Sequence, residues 1–316
     1  MTTFDPLILQ ATSSPTVQRP GQDTRPCFLY WRQSQLLVLQ LASRSTDRTQ
    51  QQPPLPPLAN PTWLLECLKR SPIQLVRIDA DLGESTLREW AEACNQTGKA
   101  LYLRLPSAAQ LPNKRRGVLW SWKRLLDWSA ALLLLTVLSP LFVGIALAIG
   151  LTSPGSVLFS QWRVGQRGKL FRVLKFRTMV IDAEQAHHGI MANQAADCLH
   201  KREDDPRITP LGKWLRRYSL DELPQLINVL RGEMSLVGPR PWALYDAVRV
   251  RPEMQMRLNA LPGITGAWQV EARSTLLDID AVSDRDLEYL KNWSLRSDFK
   301  ILLQTVPRVL SGSGAF

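Results

Sequence analysis

The chain has 316 residues, 45% of them apolar, which is enough for one large or two modest domains, and its formal net charge is +11. That charge is local: residues 113–177 hold 11 Lys and Arg against Asp127 alone, residues 1–112 hold 11 against 9 acids, and residues 178–316 hold 17 against 18. A broadly basic nucleic-acid binder is thereby disfavoured, and basic residues around the most apolar segment point instead to anionic lipid headgroups. In chain order, residues 1–20 lack the basic start and apolar core of a signal peptide. Apolar runs rich in branched residues at 35–41, 74–80 and 100–106 read as strands, separated by helical patterns at 61–70 and 85–96. This order predicts a small parallel α/β domain over residues 1–110, with the Gln/Pro tract 50–61 as a spacer inside it. It carries no Gly-x-Gly-x-x-Gly loop, so its expected role is docking, dimerisation or regulation. Residues 111–118 form a linker. Cys27, Cys67, Cys94 and Cys198 lie 40, 27 and 104 residues apart, with no metal spacing, which predicts reduced thiols in a cytosolic setting.

Trp128–Leu151 follows, 24 residues without a formal charge. At roughly 1.5 Å per residue that is long enough to cross a hydrocarbon core of about 30 Å. Ser139-Pro140 interrupts it, and proline removes a backbone hydrogen bond there. Lys114, Arg115, Arg116, Lys123 and Arg124 precede the segment, and Arg163, Arg167 and Lys169 follow it. A simple span carries its Lys/Arg bias on one side. Basic flanks on both sides predict a re-entrant helix over 128–151 with both ends at the cytoplasmic face, a full span being the alternative. Trp120, Trp122, Trp128 and Trp162 sit at the interfacial levels. Residues 155–179 alternate apolar and basic residues around glycines, as a hairpin near headgroups or phosphates does. His187, His188 and His200 read as solvated loop residues. Residues 211–218 and 285–310 both read as amphipathic helices, either lying in the membrane interface or covering a core.

Residues 219–241, SLDELPQLINVLRGEMSLVGPRP, carry most of the chemistry. Asp221 and Glu222 come just after Lys213, Arg216 and Arg217, ahead of Leu223, Leu226, Ile227 and Leu230 at helical spacing. A helix beginning near Ser219 would hold both carboxylates in its first turn, where the macrodipole favours charge. An ionised Asp221 among arginines suits nucleophilic attack on a phosphorus held by guanidinium groups. The plainer reading is a Ser219–Glu222 capping box, which Pro224 fits poorly.

The segments KRLLD (123–127), the Ser-Pro-broken apolar helix, LFRVLKFRTM (170–179), residues 204–241 and LPGITGAWQV (261–270) resemble the bacterial sugar transferase family, the monotopic polyprenyl-phosphate hexose-1-phosphate transferases. The resemblance covers about residues 119–316. It implies an α+β, mostly α catalytic domain with a re-entrant membrane helix and interfacial amphipathic helices, preceded by the small α/β domain. It implies transfer of a sugar 1-phosphate from a UDP-sugar to undecaprenyl phosphate, with release of UMP, at the cytoplasmic face of the bacterial inner membrane in contact with membrane lipid. Asp221 matches the nucleophile and Glu222 the dyad residue that holds Mg²⁺. Arg216, and with them Lys175 and Arg177, match phosphate-binding positions. Pro239, Arg240 and Pro241 match the uridine end, and Ser139 and Pro140 the membrane-helix break. No nucleic-acid partner is implied, a homodimer is left open, and the sugar is not legible. A membrane scaffold or sensor of polysaccharide assembly that has lost catalysis is the alternative, and it has no use for the intact acid pair.

Overall fold

A computed structural model describes residues 27–32, 34–40, 61–104, 117–181, 183, 205–248, 252–271 and 278–312. The N-terminal twenty residues, the spacer over 50–60, linker residues 111–116, Cys198 and the three histidines lie outside the described residues.

The first unit is a sheet of β1 (Cys27–Arg32), β2 (Gln35–Gln40), β3 (Leu75–Ile78) and β4 (Ala100–Leu103), in that order, with α1 (Pro61–Arg70) and α2 (Glu84–Gln96). The pairs β2–β3 and β3–β4 are parallel, as the alternation of strand and helix predicts, because a parallel pair needs a crossover that a helix supplies. Val76 and Ile78 are buried on either side of exposed Arg77, and they pack with Leu64, Leu68, Leu87 and Trp90 from the helices. The sequence reading lacks β1, which adds an antiparallel edge strand to β2.

This unit does not end at its own surface. Its apolar core continues into Val164, Leu170, Trp242, Leu244, Leu258 and Ile279 of the C-terminal part. Tyr102 of β4 forms an antiparallel bridge with Lys169. Beside it Gly168 has φ +78°, and a Cβ there would come 2.8 Å from the Leu103 carbonyl oxygen, so the close approach requires glycine. Glu92 of α2 pairs with Arg172, whose guanidinium lies 5.1 Å from the Trp162 ring centroid.

The apolar segment forms two helices, α3 (Gly117–Val137) and α4 (Ser139–Thr152), bent by 61° at Leu138. Pro140 stands in the first turn of α4, where its missing N–H costs nothing, and the Ser139 hydroxyl donates to the Thr136 carbonyl at 2.8 Å. Among the described residues no single helix is long and apolar enough to cross a membrane; the bent pair passes that test together. Leu132, Leu133, Val137, Val143, Leu147 and Leu151 are all exposed.

The KRLLD motif fastens α3 to the body. Buried Lys123 donates to Asp298 at 2.5 Å and to the Val237 carbonyl at 3.0 Å, and Asp298 also accepts from Tyr289 and Trp293. Asp127 accepts from the Ser235 hydroxyl at 2.8 Å and the Leu236 amide at 3.2 Å, while Arg124 donates to the Met234 carbonyl.

The body holds a three-stranded antiparallel sheet and a two-stranded parallel one. The first is β6 (Leu170–Phe176), β5 (Leu158–Val164) and β8 (Trp242–Ala243); the second pairs β7 (Ser235–Val237) with β9 (Gly263–Thr265). Helices α5 (Pro210–Arg217), α6 (Gln225–Leu230), α7 (Leu244–Ala247), α8 (Ala267–Glu271), α9 (Ile279–Lys291) and α10 (Leu295–Ser311) surround them. The mixed, helix-rich architecture and the 155–179 hairpin agree with the sequence. The expected helix over 285–310 is two helices, because Ser294 caps a fresh start in a reciprocal box with Ser297.

Candidate active site

Asp221 and Glu222 do not open an α-helix. They lie in a 3₁₀ turn, Leu220–Glu222, entered through Ser219 at φ 52° and followed by the six-residue α6. The Ser219 hydroxyl makes no cap hydrogen bond, so the alternative capping-box reading is overturned as well: a strained turn stands there, which Pro224 hands on to α6. Without a long helix starting at Ser219, no macrodipole holds the charge of Asp221 and Glu222. Side-chain cations take its place.

Both carboxylates are buried. Lys175, from β6, reaches Glu222 Oε1 at 2.7 Å and Asp221 Oδ2 at 3.8 Å. Arg240 stands 4.0 Å from Glu222 Oε1, with its guanidinium 5.9 Å from the Trp268 ring. Arg216 is oriented by a 2.9 Å bond to the Thr178 hydroxyl and acts on Asp221 through space. Burial pulls Lys175 below the usual lysine range, and Glu222 and Asp221 oppose that shift. Burial likewise lowers Arg216, with Asp221 opposing it.

The Gly238–Pro241 turn reaches this site because the backbones of β7 and β9 almost touch: a Cβ on Gly263 would lie 2.1 Å from the Gly238 amide nitrogen. Pro239 offers its carbonyl to Gly263, while Arg240 and Pro241 line the cleft itself. Arg257, buried against the Trp242 ring at 3.8 Å and paired with Asp286, holds the Arg240 carbonyl at 2.9 Å.

Of the residues the sequence selects, Asp221, Glu222, Lys175, Arg216, Arg240 and Pro241 come together. Arg177 does not join them: its guanidinium caps the end of α4 through the Ser153 and Pro154 carbonyls. Ser139 and Pro140 shape the bend between α3 and α4.

Two cleft residues were missed. Buried Arg163 of β5 donates to the Pro241 carbonyl at 3.1 Å and to Gln161 at 2.7 Å; in the sequence it is only one basic flank among several. Gln269 lies inside the LPGITGAWQV segment but carries no charge or spacing signal. Lys175, Arg163, Arg216 and Arg240 thus surround two carboxylates, an excess of positive charge that suits a phosphate-bearing ligand. No group of three or more His, Cys, Asp or Glu side chains converges among the described residues, so they form no closed metal cage. Two adjacent carboxylates suit a Mg²⁺ ion of the kind held by one or two carboxylates plus substrate phosphates.

A family model described as bacterial sugar transferase matches residues 118–312. The galactosyl transferase CpsE of Streptococcus agalactiae serotype III (strain NEM316) is 46% identical over 162 residues, 51% of this chain and 36% of CpsE. The exopolysaccharide production protein ExoY of Sinorhizobium fredii (strain NBRC 101917 / NGR234) is 38% identical over 204 residues, 61% of this chain and 88% of ExoY. The undecaprenyl-phosphate glucose phosphotransferase of Komagataeibacter xylinus is 42% identical over 207 residues, 61% of this chain and 37% of that protein. The match therefore spans most of ExoY but little over a third of the other two.

Proposed function

The chain belongs to the bacterial sugar transferase family, and from that premise we propose that it transfers a sugar 1-phosphate from a UDP-sugar, a UDP-hexose by preference, to undecaprenyl phosphate and releases UMP. The observation that carries this reading is the buried Asp221–Glu222 pair facing four cationic side chains in one cleft. The names of the K. xylinus and ExoY proteins, an undecaprenyl-phosphate glucose phosphotransferase and an exopolysaccharide production protein, support the acceptor and a role in exopolysaccharide production.

The reaction runs in two displacements. An Asp221 carboxylate oxygen attacks the sugar-bearing phosphorus, a P–O bond forms, and the bridging P–O bond breaks with its electron pair leaving on UMP. A phosphate oxygen of the lipid then attacks the same phosphorus, the acyl–phosphate bond breaks, and the Asp221 carboxylate is regenerated. Lys175 holds Glu222 and Asp221 in place and, with Arg216 and Arg240, offsets charge on the phosphates. Mg²⁺ bound by Glu222 would further neutralise the diphosphate.

A lipid phosphate stays at the headgroup plane, so the nucleophile must be held there. The 61° bend, the exposed leucines and valines of α3 and α4, and the Ser139 bond that satisfies a freed carbonyl support a re-entrant hairpin entering from the cytoplasmic face. Exposed Trp214 on α5 and Phe299, Leu303, Val306 and Leu310 along α10 support helices lying in the interface.

The test is UMP release from a panel of UDP-sugars by membrane-embedded protein with Mg²⁺, with and without undecaprenyl phosphate. Turnover that requires the lipid and one particular sugar is the expected result. Silence with every sugar from well-inserted protein would favour the scaffold alternative.

A further inference from the structure

The cleft wall contains an acceptor that the phosphates cannot use. Gln269 is 8% exposed and lines the cleft with Arg163, Lys175, Glu222 and Arg240. Its side-chain nitrogen donates to the Ile264 carbonyl at 3.0 Å, while its buried Oε1 has no hydrogen-bond partner. The amide cannot be turned over, because Oε1 would then face the Ile264 carbonyl, oxygen against oxygen. Arg163 Nε, in the same wall, is likewise buried without a partner. Buried polar atoms are mostly paired, and of the unpartnered ones among the described residues these two line the cleft, where a ligand can reach them.

The chemistry of that ligand group follows from the atom. Ionised phosphates bring only acceptors, and the cations around Asp221 and Glu222 already answer them. A fixed carboxamide oxygen needs an N–H or O–H. We infer that Gln269 is a specificity-determining residue whose Oε1 accepts a hydrogen bond from a neutral donor group of the sugar nucleotide, outside its phosphates. This rests on the UDP-sugar reading above. Three groups of such a ligand share the chemistry: the imide N–H of the base, a hydroxyl of the ribose and a hydroxyl of the hexose.

The experiment compares the natural UDP-hexose with its N3-methyluridine, 2′-deoxyuridine and 3′-deoxyuridine analogues and with a set of deoxyhexose donors. Wild-type, Gln269→Met and Gln269→Leu proteins in membranes are compared by KM and kcat for UMP release. With wild type, one analogue is expected to raise KM by roughly tenfold or more, since a site built to bond an N–H or O–H rejects the analogue that lacks it. Loss with the N3-methyl donor assigns the base, loss with a deoxyuridine donor assigns the ribose, and loss with one deoxyhexose donor assigns the hexose. In the Met and Leu variants the natural donor suffers the same rise in KM at nearly unchanged kcat, and the penalty on that analogue disappears.

The inference is overturned if either folded variant keeps the wild-type KM or still rejects the analogue in full. It is also overturned, with no variant needed, if wild type accepts every analogue as well as the natural donor. Failure of the UDP-sugar reading itself looks different: wild type then releases no UMP from the natural donor at all.

Discussion

Two places in this protein bury charge, and they do it in opposite ways. At the anchor, Lys123 is answered by Asp298 and the Val237 carbonyl, and Asp127 by the Ser235 hydroxyl and the Leu236 amide. In the cleft, four cations face two carboxylates, and Arg163 and Gln269 keep unpartnered atoms. At the anchor each of these groups is answered from within the protein, whereas the cleft keeps both an excess of positive charge and atoms open to a ligand.

The sharpest way to break this contrast is to remove one charge from each place. Asp221→Asn takes away the proposed nucleophile and is expected to lower UMP release by about a thousandfold or more, with melting temperature and membrane insertion unchanged. Retained turnover would sink the covalent route. Lys123→Met should do the reverse. It leaves Asp298 buried without its cation and is expected to cost about 3–5 kcal/mol of stability, read as a lower melting temperature, with kcat per folded molecule unaltered. Adding Asp298→Leu should return much of that loss, because a buried pair replaced by apolar groups is often near neutral. A double variant as unstable as the single one would show that Asp298 matters mainly through Tyr289 and Trp293.

The smallest effect concerns pH. Burial lowers Lys175, so its charge is lost at a lower pH than a free lysine loses it. As pH rises through that lowered value the cation disappears from the cleft, and KM for the UDP-sugar is expected to climb before pH reaches the ordinary lysine range. Lys175→Arg stays charged and should flatten this alkaline limb, checked by KM across the pH range from neutral upward. An unchanged limb in the arginine variant would assign it to another group.

Features that depend on neighbours in sequence were legible. The α1 limits, the β5–β6 hairpin, the break beside Ser139 and the adjacency of the acid pair all follow from local pattern, and Pro140 announces its place at the break by residue type. What needs the tertiary fold was not. The 3₁₀ turn at Asp221 arises because Ser219 takes a left-handed conformation, which no spacing rule reveals. Arg177 sits two residues beyond Lys175 and points elsewhere, since adjoining segments of the chain offer it the open carbonyls at the end of α4. Arg163 and Gln269 matter through atoms left without partners, a property that exists only once the walls of the cleft are assembled. The shared core that joins Leu103 to Leu170 and Trp242 is invisible for the same reason: each residue reads as an ordinary apolar position in its own segment.

The bend at Leu138 sets a depth. From Trp128 to Val137 the apolar half of α3 rises about 14 Å at roughly 1.5 Å per residue, close to half of a hydrocarbon core of about 30 Å. A hairpin of that reach turns back near the midplane, so on the re-entrant reading the protein meets the acyl chains of a single leaflet. Lipids of the opposite leaflet would then leave its insertion untouched, and the composition of the near monolayer alone would govern how firmly it is seated.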